Sequence, residues 1–367
     1  MFFFWLFLLI SYLAALAARH YPIRSKGGLG QPLPNPMGYI VPAVLLTVFA
    51  GLRNSIGDTY FYMHSYRLMG ILGKPEIHFS GHESFFDFFQ NILFDITKDP
   101  QMLIFITAAV SCIPAIFIIY KYTKLYEMGI LLFVLTAYYS NSFNGIKQYV
   151  AAGVILLGTR YLFGEERWDW LKFMLFVLVA YKIHSTAIVM IPLYFLVRQR
   201  AWSLISMLTI VGSIFLLLAM DIVIPNMMGI IENSPYSEYS RIGWFTSGIA
   251  SGSNIFRLPF VALPVVLSFF SLDKLRYLGK KGDAVINLSI LNLAFYIISL
   301  YNWIFARFAI YTSIFMILLI CWLIEDTFRK KDRPVAYAIA VAVYSVYFYT
   351  QYFTVQSYTS NYLKDVF

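Results

Sequence analysis

Charge is scarce in this sequence. Only 13% of its 367 residues are Asp, Glu, Lys or Arg, against about 25% in soluble domains, which excludes an ordinary solvated globular surface. Cysteine is nearly absent. Cys112 and Cys321 both fall inside apolar runs, so neither a disulfide framework nor a cysteine metal site is expected. Walker A, glycine-rich dinucleotide and serine-hydrolase motifs are missing as well, and no cofactor is expected. The chain shows no self-similar halves, no low-complexity tract and no domain linker. No basic segment precedes the apolar run that starts at Phe2, so that run reads as a retained helix with its N-terminus outside rather than as a signal peptide.

What the sequence has is apolar length. Hydrophobic residues make up 60% and aromatics 19%, which predicts an all-α, polytopic integral membrane protein. At about 20 residues per helix, the chain holds roughly ten to twelve transmembrane helices. Apolar runs place them near 2–18, 37–51, 101–120, 127–143, 146–163, 169–182, 184–197, 202–221, 255–272, 284–301, 308–324 and 335–352. A single transmembrane domain over 1–367 is expected, with long outer loops at about 52–100 and 221–255. The formal charge of +9 does not indicate nucleic acid, because the basic residues are scattered between apolar runs. They follow the positive-inside rule: loops at 19–26, 121–124, 160–172, 198–200, 274–281 and 329–333 alternate as the cytoplasmic ones.

The cations that break this pattern are the informative ones. Arg53, Lys147, Lys182, Arg257 and Arg307 stand at or just inside the outer ends of separate helices, and Arg241 falls in the second outer loop. An arginine at such a depth is costly unless it meets protein, water or an anion. Gathered at one face, these residues predict an electropositive outer cavity; the other reading is that they snorkel separately to headgroups.

Smaller constellations surround them. Asn141, Asn144 and Gln148 recur at three- and four-residue spacing, which on a continuous helix makes one polar face. Amides of this kind suit sugar hydroxyls, or hydrogen bonds between helices in lipid. Lys182-Ile183-His184-Ser185 interrupts an apolar region and offers a histidine as base, proton carrier or phosphate donor. Asn302, Arg307 and Tyr311 cross another outer helix end, the last two one turn apart on one face; Arg307 can grip a phosphate with two hydrogen bonds. His78, His82 and Glu83 have a spacing that could seat a metal if helical, but the segment 83–96 is better read as an amphipathic helix on the outer leaflet, and no metal site is expected.

Taken in order, Gly51-Leu52-Arg53…Gly57-Asp58-Thr59…Tyr62, Glu83-Ser84-Phe85-Phe86, Asn144-Gly145-Ile146-Lys147-Gln148, Lys182-Ile183-His184-Ser185-Thr186-Ala187 and Arg307-Phe308 resemble the EpsG-like family of Wzy-type bacterial polysaccharide polymerases. Where that family often shows Arg-Gln, this chain has Lys147-Gln148, which keeps the charge and loses the fork. The resemblance implies a glycosyltransferase at the outer face of the cytoplasmic membrane. It would join oligosaccharide repeat units carried on undecaprenyl pyrophosphate into an exopolysaccharide or capsule chain, as in biofilms, with membrane lipid and other polysaccharide export proteins as partners and no nucleic acid. An O-antigen-ligase-type transferase shares the donor and stays open as an alternative. A lipid-linked oligosaccharide flippase is the other, although transporters more often show repeats.

Displacing a pyrophosphate builds charge on the leaving group, so fixed cations favour the transition state. Arg53 and Arg307 are expected to hold it, with Lys147, Lys182, Arg241, Arg257, Asn144, Gln148 and Tyr311 around the substrate. One general base is needed. His184 is the first candidate and Glu83 the second, while Asp58 is expected to orient Arg53 or a sugar hydroxyl.

Overall fold

The computed structural model describes residues 2–77, 83–232, 252–351 and 358–363. Its regular structure is helical: no β-strand forms among the described residues, apart from one isolated bridge between Lys26 and Pro32. The chain is an all-α polytopic membrane protein, as its composition predicts. Among the described residues, four helices are long and apolar enough to cross a membrane, at Phe2–His20, Pro100–Tyr122, Leu204–Gly229 and Leu272–Ser299. A fifth span results if Trp303–Tyr311 and Ser313–Thr327, bent by 61° against each other, are counted together.

The expected helices recur near their predicted places, but several are shorter or broken, which is why the count of full-length spans falls below ten. The run at 127–143 divides into α6 (Tyr126–Leu135) and α7 (Tyr138–Asn141). Between them Ala137 adopts φ 60°. At 10 residues, α6 is only about 15 Å long. The run at 184–197 likewise opens as a 3-10 turn, Ser185–Val189, before α11 (Met190–Val197). Broken apolar helices carry backbone groups that need protein partners at membrane depth, and these breaks surround the polar residues.

Contacts divide the chain into two compact units, residues 1–191 with 320–367, and residues 192–319. In the first unit, α1 (Phe2–His20) packs on α2 (Pro36–Gly51), α2 on α5 (Pro100–Tyr122), α5 on α8 (Ile146–Leu157), and α8 on α10 (Asp169–Ile183). Short α9 (Thr159–Leu162) follows α8, and the last helix, which begins at Arg333, leans on α6. Caps set the starts: the side chains of Asn35 and Asp99 accept from the backbone N–H groups of Met37 and Gln101, with Pro36 and Pro100 next in line. Glycine permits a close crossing. A Cβ at Gly153 would lie 2.1 Å from the Val110 carbonyl oxygen, so α8 approaches α5 as closely as backbones allow.

The segment 52–100, expected as a long loop, holds two helices. α3 (Thr59–Leu72) is an addition; α4 (Ser84–Ile96) is the predicted amphipathic helix, burying Phe86, Leu93 and Phe94 and exposing Phe85, Phe88 and Ile92. α4 packs on α10 and α3. That contact carries Glu83 toward the end of α10.

In the second unit, α15 (Gly279–Ser299) is central. α12 (Leu204–Glu232), α13 (Leu258–Phe270) and the 3-10 segment Trp303–Tyr311 pack on it, and short α14 (Leu272–Leu275) precedes it. Met220, Ile224 and Ile304 form a buried apolar cluster. α16 (Ser313–Trp322) carries the chain back to the first unit, and α17 (Arg333–Gln351) follows there.

Candidate active site

The first unit brings together polar residues from four separate stretches of sequence. The first is the turn after α2. Arg53 is 1% exposed. Its Nε donates to Thr59 Oγ1 at 2.9 Å, its Nη1 donates to the Ala50 carbonyl, and its guanidinium carbon lies 4.7 Å from the Phe143 ring centre. Nη2 makes no hydrogen bond among the described residues. Burial pulls the group down from its ordinary 12.5 to about 10, so it remains charged at neutral pH. The turn itself is clamped: the Gln101 amide donates to the carbonyls of Gly51 and Arg53, at 2.6 and 3.0 Å. On its far side Asn54 donates its N–H to Thr359, and Tyr358 stacks on Phe49 with ring centres 4.1 Å apart.

Asp58 does not pair with Arg53. Its Oδ2 accepts from the Gly145 N–H at 2.7 Å, which ties the arginine turn to the second stretch, the turn between α7 and α8. Gly57 makes that approach feasible. With φ 53°, a Cβ there would sit 2.8 Å from the Phe143 carbonyl oxygen and from Asn144 Cβ, so no other residue fits without displacing the neighbouring turn. Because α7 ends at Asn141 and α8 starts at Ile146, the expected continuous polar face of Asn141, Asn144 and Gln148 does not form. Asn144 is exposed on the turn, while Gln148 is buried on the first turn of α8.

Glu83 joins the remaining stretches. It sits just before α4 with φ 65°. Its Oε2 is 2.9 Å from Lys147 Nζ, and its Oε1 is 3.9 Å from His184 Nε2. Asp87, one turn further along α4, lies 4.0 Å from the same lysine; burial raises its carboxyl above the usual range, and Lys147 opposes that shift. His184 is the residue where α10 ends and the 3-10 turn begins, an extended position that frees its ring from the helix. On its other side, Nδ1 lies 2.7 Å from Thr186 Oγ1 and also faces the Thr186 N–H, while Gln148 Nε2 donates to the same hydroxyl at 3.1 Å. A threonine hydroxyl that accepts from Gln148 is oriented to donate to Nδ1. With Nδ1 assigned as acceptor from the Thr186 N–H, a neutral imidazole carries its proton on Nε2, 3.9 Å from Glu83 Oε1.

The other expected residues are placed as follows. Lys182 is half-buried on the last turn of α10. Arg257, Arg307 and Tyr311 belong to the second unit. Arg307 lies 5.1 Å from the Trp303 ring centre and is half-buried, whereas Tyr311 is 1% exposed. They do not share a face, because Trp303–Tyr311 is a 3-10 helix, in which residues three apart are eclipsed and residues four apart are not. Asn302 caps that helix, its Oδ1 accepting from the Ile304 N–H at 3.0 Å. Arg241, His78 and His82 lie outside the described residues. No group of three or more His, Cys, Asp or Glu side chains could hold a metal among the described residues.

Sequence reasoning gave no role to Gln101, Asp87 or Thr186. Asp87 follows Glu83 at helical spacing and Thr186 follows His184 by two, signals that were present; Gln101 had only its position as a lone amide opening an apolar run. The EpsG family model matches residues 38–365, a span that contains every residue of this site. No curated protein matches the chain, and no solved structure does.

Proposed function

Since the chain belongs to the EpsG family of Wzy-like polymerases, we propose that it joins undecaprenyl-pyrophosphate-linked oligosaccharide repeat units into an exopolysaccharide or capsule chain. The reaction takes place at the outer face of the cytoplasmic membrane. The observation that carries this reading is the Glu83 carboxylate, set between Lys147 at 2.9 Å and His184 at 3.9 Å. One base, one mobile cation and one imidazole are the groups needed to transfer a glycosyl unit from a pyrophosphate to a hydroxyl.

In this reading, the hydroxyl of one lipid-linked chain attacks the anomeric carbon of another. A carbon–oxygen bond forms, the bond from that carbon to the pyrophosphate breaks, and lipid pyrophosphate leaves with the electron pair. The hydroxyl proton goes to Glu83. His184 is a poorer acceptor than its position in sequence suggests, since Thr186 faces its Nδ1 and its Nε2 carries the proton toward Glu83; it orients the carboxylate. Lys147 holds Glu83 until the donor arrives and then turns to the pyrophosphate, which releases the carboxylate for the proton. Arg53 Nη2 is directed to the same anion, as is Lys182. Asn144 meets sugar hydroxyls, Gln148 positions Thr186, and Tyr311 supports the second unit.

Two experiments test this reading. With purified protein and lipid-linked repeat units, Lys147→Arg is expected to lengthen chains at close to the native rate, whereas Lys147→Gln loses roughly a hundredfold. Equal rates from both would remove the cation from the mechanism. For orientation, single cysteines replace Asn361, beside the arginine turn, and Lys330, at the opposite end, in a background lacking Cys112 and Cys321. An impermeant thiol reagent on intact cells is expected to label position 361 and to spare 330; the reverse pattern would place the site in the cytoplasm.

A further inference from the structure

A second polar site lies in the first unit, at the end remote from Arg53. α5 runs from Gln101, which holds the Arg53 carbonyl, to Lys121, so the α5–α6 turn is at the opposite end of the unit. A cavity of about 590 Å³ opens there between the end of α1, that turn and the start of α17. Four cations line it, Arg19, Lys124, Lys330 and Arg333, against two carboxylates, Glu127 and Glu325. Arg19 pairs with Glu127 and Arg333 with Glu325, both at 2.7 Å, and Lys124 pairs with Asp326 behind the wall at 2.7 Å. Lys330 makes no ion pair among the described residues. The lining therefore carries excess positive charge toward the cavity.

The second observation concerns Glu127. It is 2% exposed, and while Oε1 accepts from Arg19, Oε2 accepts no hydrogen bond among the described residues. A buried carboxylate oxygen without a donor is rare, because a lone pair stripped of water is costly. An occupant of this cavity thus meets two demands at once: negative charge for the cations, and an N–H or O–H for Glu127. Leu16, Ile324 and the hydrogen-bonded tyrosines Tyr12 and Tyr337 supply a less polar wall beside them.

We propose that this cavity binds a phosphate ester that bears a hydroxyl or ammonium group a few bonds from phosphorus. The phosphate meets Lys330, Arg333 and Lys124, and the donor group meets Glu127 Oε2. A phospholipid headgroup and a soluble glycerol phosphate share this chemistry, and basic pockets between helix ends are suited to headgroups. The inference does not depend on the polymerase reading, since it uses none of the residues placed around Glu83.

The test uses full-length protein in mild detergent, with bound lipid counted by native mass spectrometry after exchange with phosphatidylglycerol, phosphatidylethanolamine or phosphatidylcholine. The first two carry a donor hydrogen and the third does not. The native protein is expected to retain the first two about tenfold better than the third. Glu127→Gln should abolish that preference in protein that melts like the native form. Lys330→Gln, an exposed substitution that leaves packing intact, should weaken retention of all three. Displacement of phosphatidylglycerol by glycerol 1-phosphate would support the same site and assign it to a soluble ligand. Equal retention of the three lipids by the native protein, without displacement by glycerol 1-phosphate, would overturn the proposal, as would retention unchanged in both variants.

Discussion

Glu83→Gln protein is expected to reach the membrane at native levels, to retain lipid-linked donor, and to lengthen chains at least about a hundredfold more slowly than the native protein. The substitution keeps the shape of the side chain and removes its ability to take a proton, together with the charge that pairs with Lys147. Glu83 stands outside the buried core, as a half-buried residue ahead of α4, so little stability is at stake. His184→Gln should cost less, on the order of tenfold, because the imidazole orients the carboxylate without accepting the proton itself. Thr186→Val should resemble His184→Gln, since it removes the hydroxyl 2.7 Å from Nδ1. Native elongation by Glu83→Gln alongside an inactive His184→Gln would return the role of base to the histidine.

Arg53→Ala is expected to destabilise the protein by about 3 kcal/mol and to abolish elongation. The side chain is fully enclosed, donates to Thr59 and to the Ala50 carbonyl, and lies over Phe143. Removing it leaves a void beside two unmet acceptors. Arg53→Lys separates fold from function. A lysine retains the charge, but its single ammonium cannot reach Thr59, Ala50 and an anion together. Most of the stability should return, therefore, while elongation stays near the level of the alanine variant. Thermal aggregation midpoints read the first effect and product ladders the second. Full elongation by Arg53→Ala at normal protein levels would show that the buried guanidinium takes no part.

The long spans were legible because burial in lipid demands uninterrupted apolar length, and Asn35-Pro36 and Asp99-Pro100 mark helix starts in plain sequence. The breaks were not. Apolar content continues through Ala137 and resumes at Ala187 within the 3-10 turn, and hydropathy does not register a change of backbone dihedral. α3 was hidden for the opposite reason: Thr59–Leu72 mixes tyrosines, His64, Arg67 and apolar residues and shows no clean period. At the site, Lys147 and His184 stood out as charge or imidazole beside apolar runs and Glu83 as the opening of an amphipathic segment, and the structure brings the three together. Asp58, expected to orient Arg53 or a sugar hydroxyl, instead accepts from a backbone amide, the Gly145 N–H. Arg53 itself was expected at a cavity mouth and is instead buried beneath Phe143. Such outcomes depend on which backbone groups fold back within reach, which spacing along the chain does not encode.

The proposed reaction transfers glycosyl units from a lipid pyrophosphate and needs no activated nucleotide. The most direct measurement supplies purified protein in lipid with lipid-linked repeat units alone and follows both products, the lengthened chain and the released lipid pyrophosphate. The expected result is a ladder of products with one lipid pyrophosphate released for each new glycosidic bond, and neither product from Glu83→Gln. Lengthening that requires a nucleotide sugar, or lipid pyrophosphate released without any new bond, would contradict it.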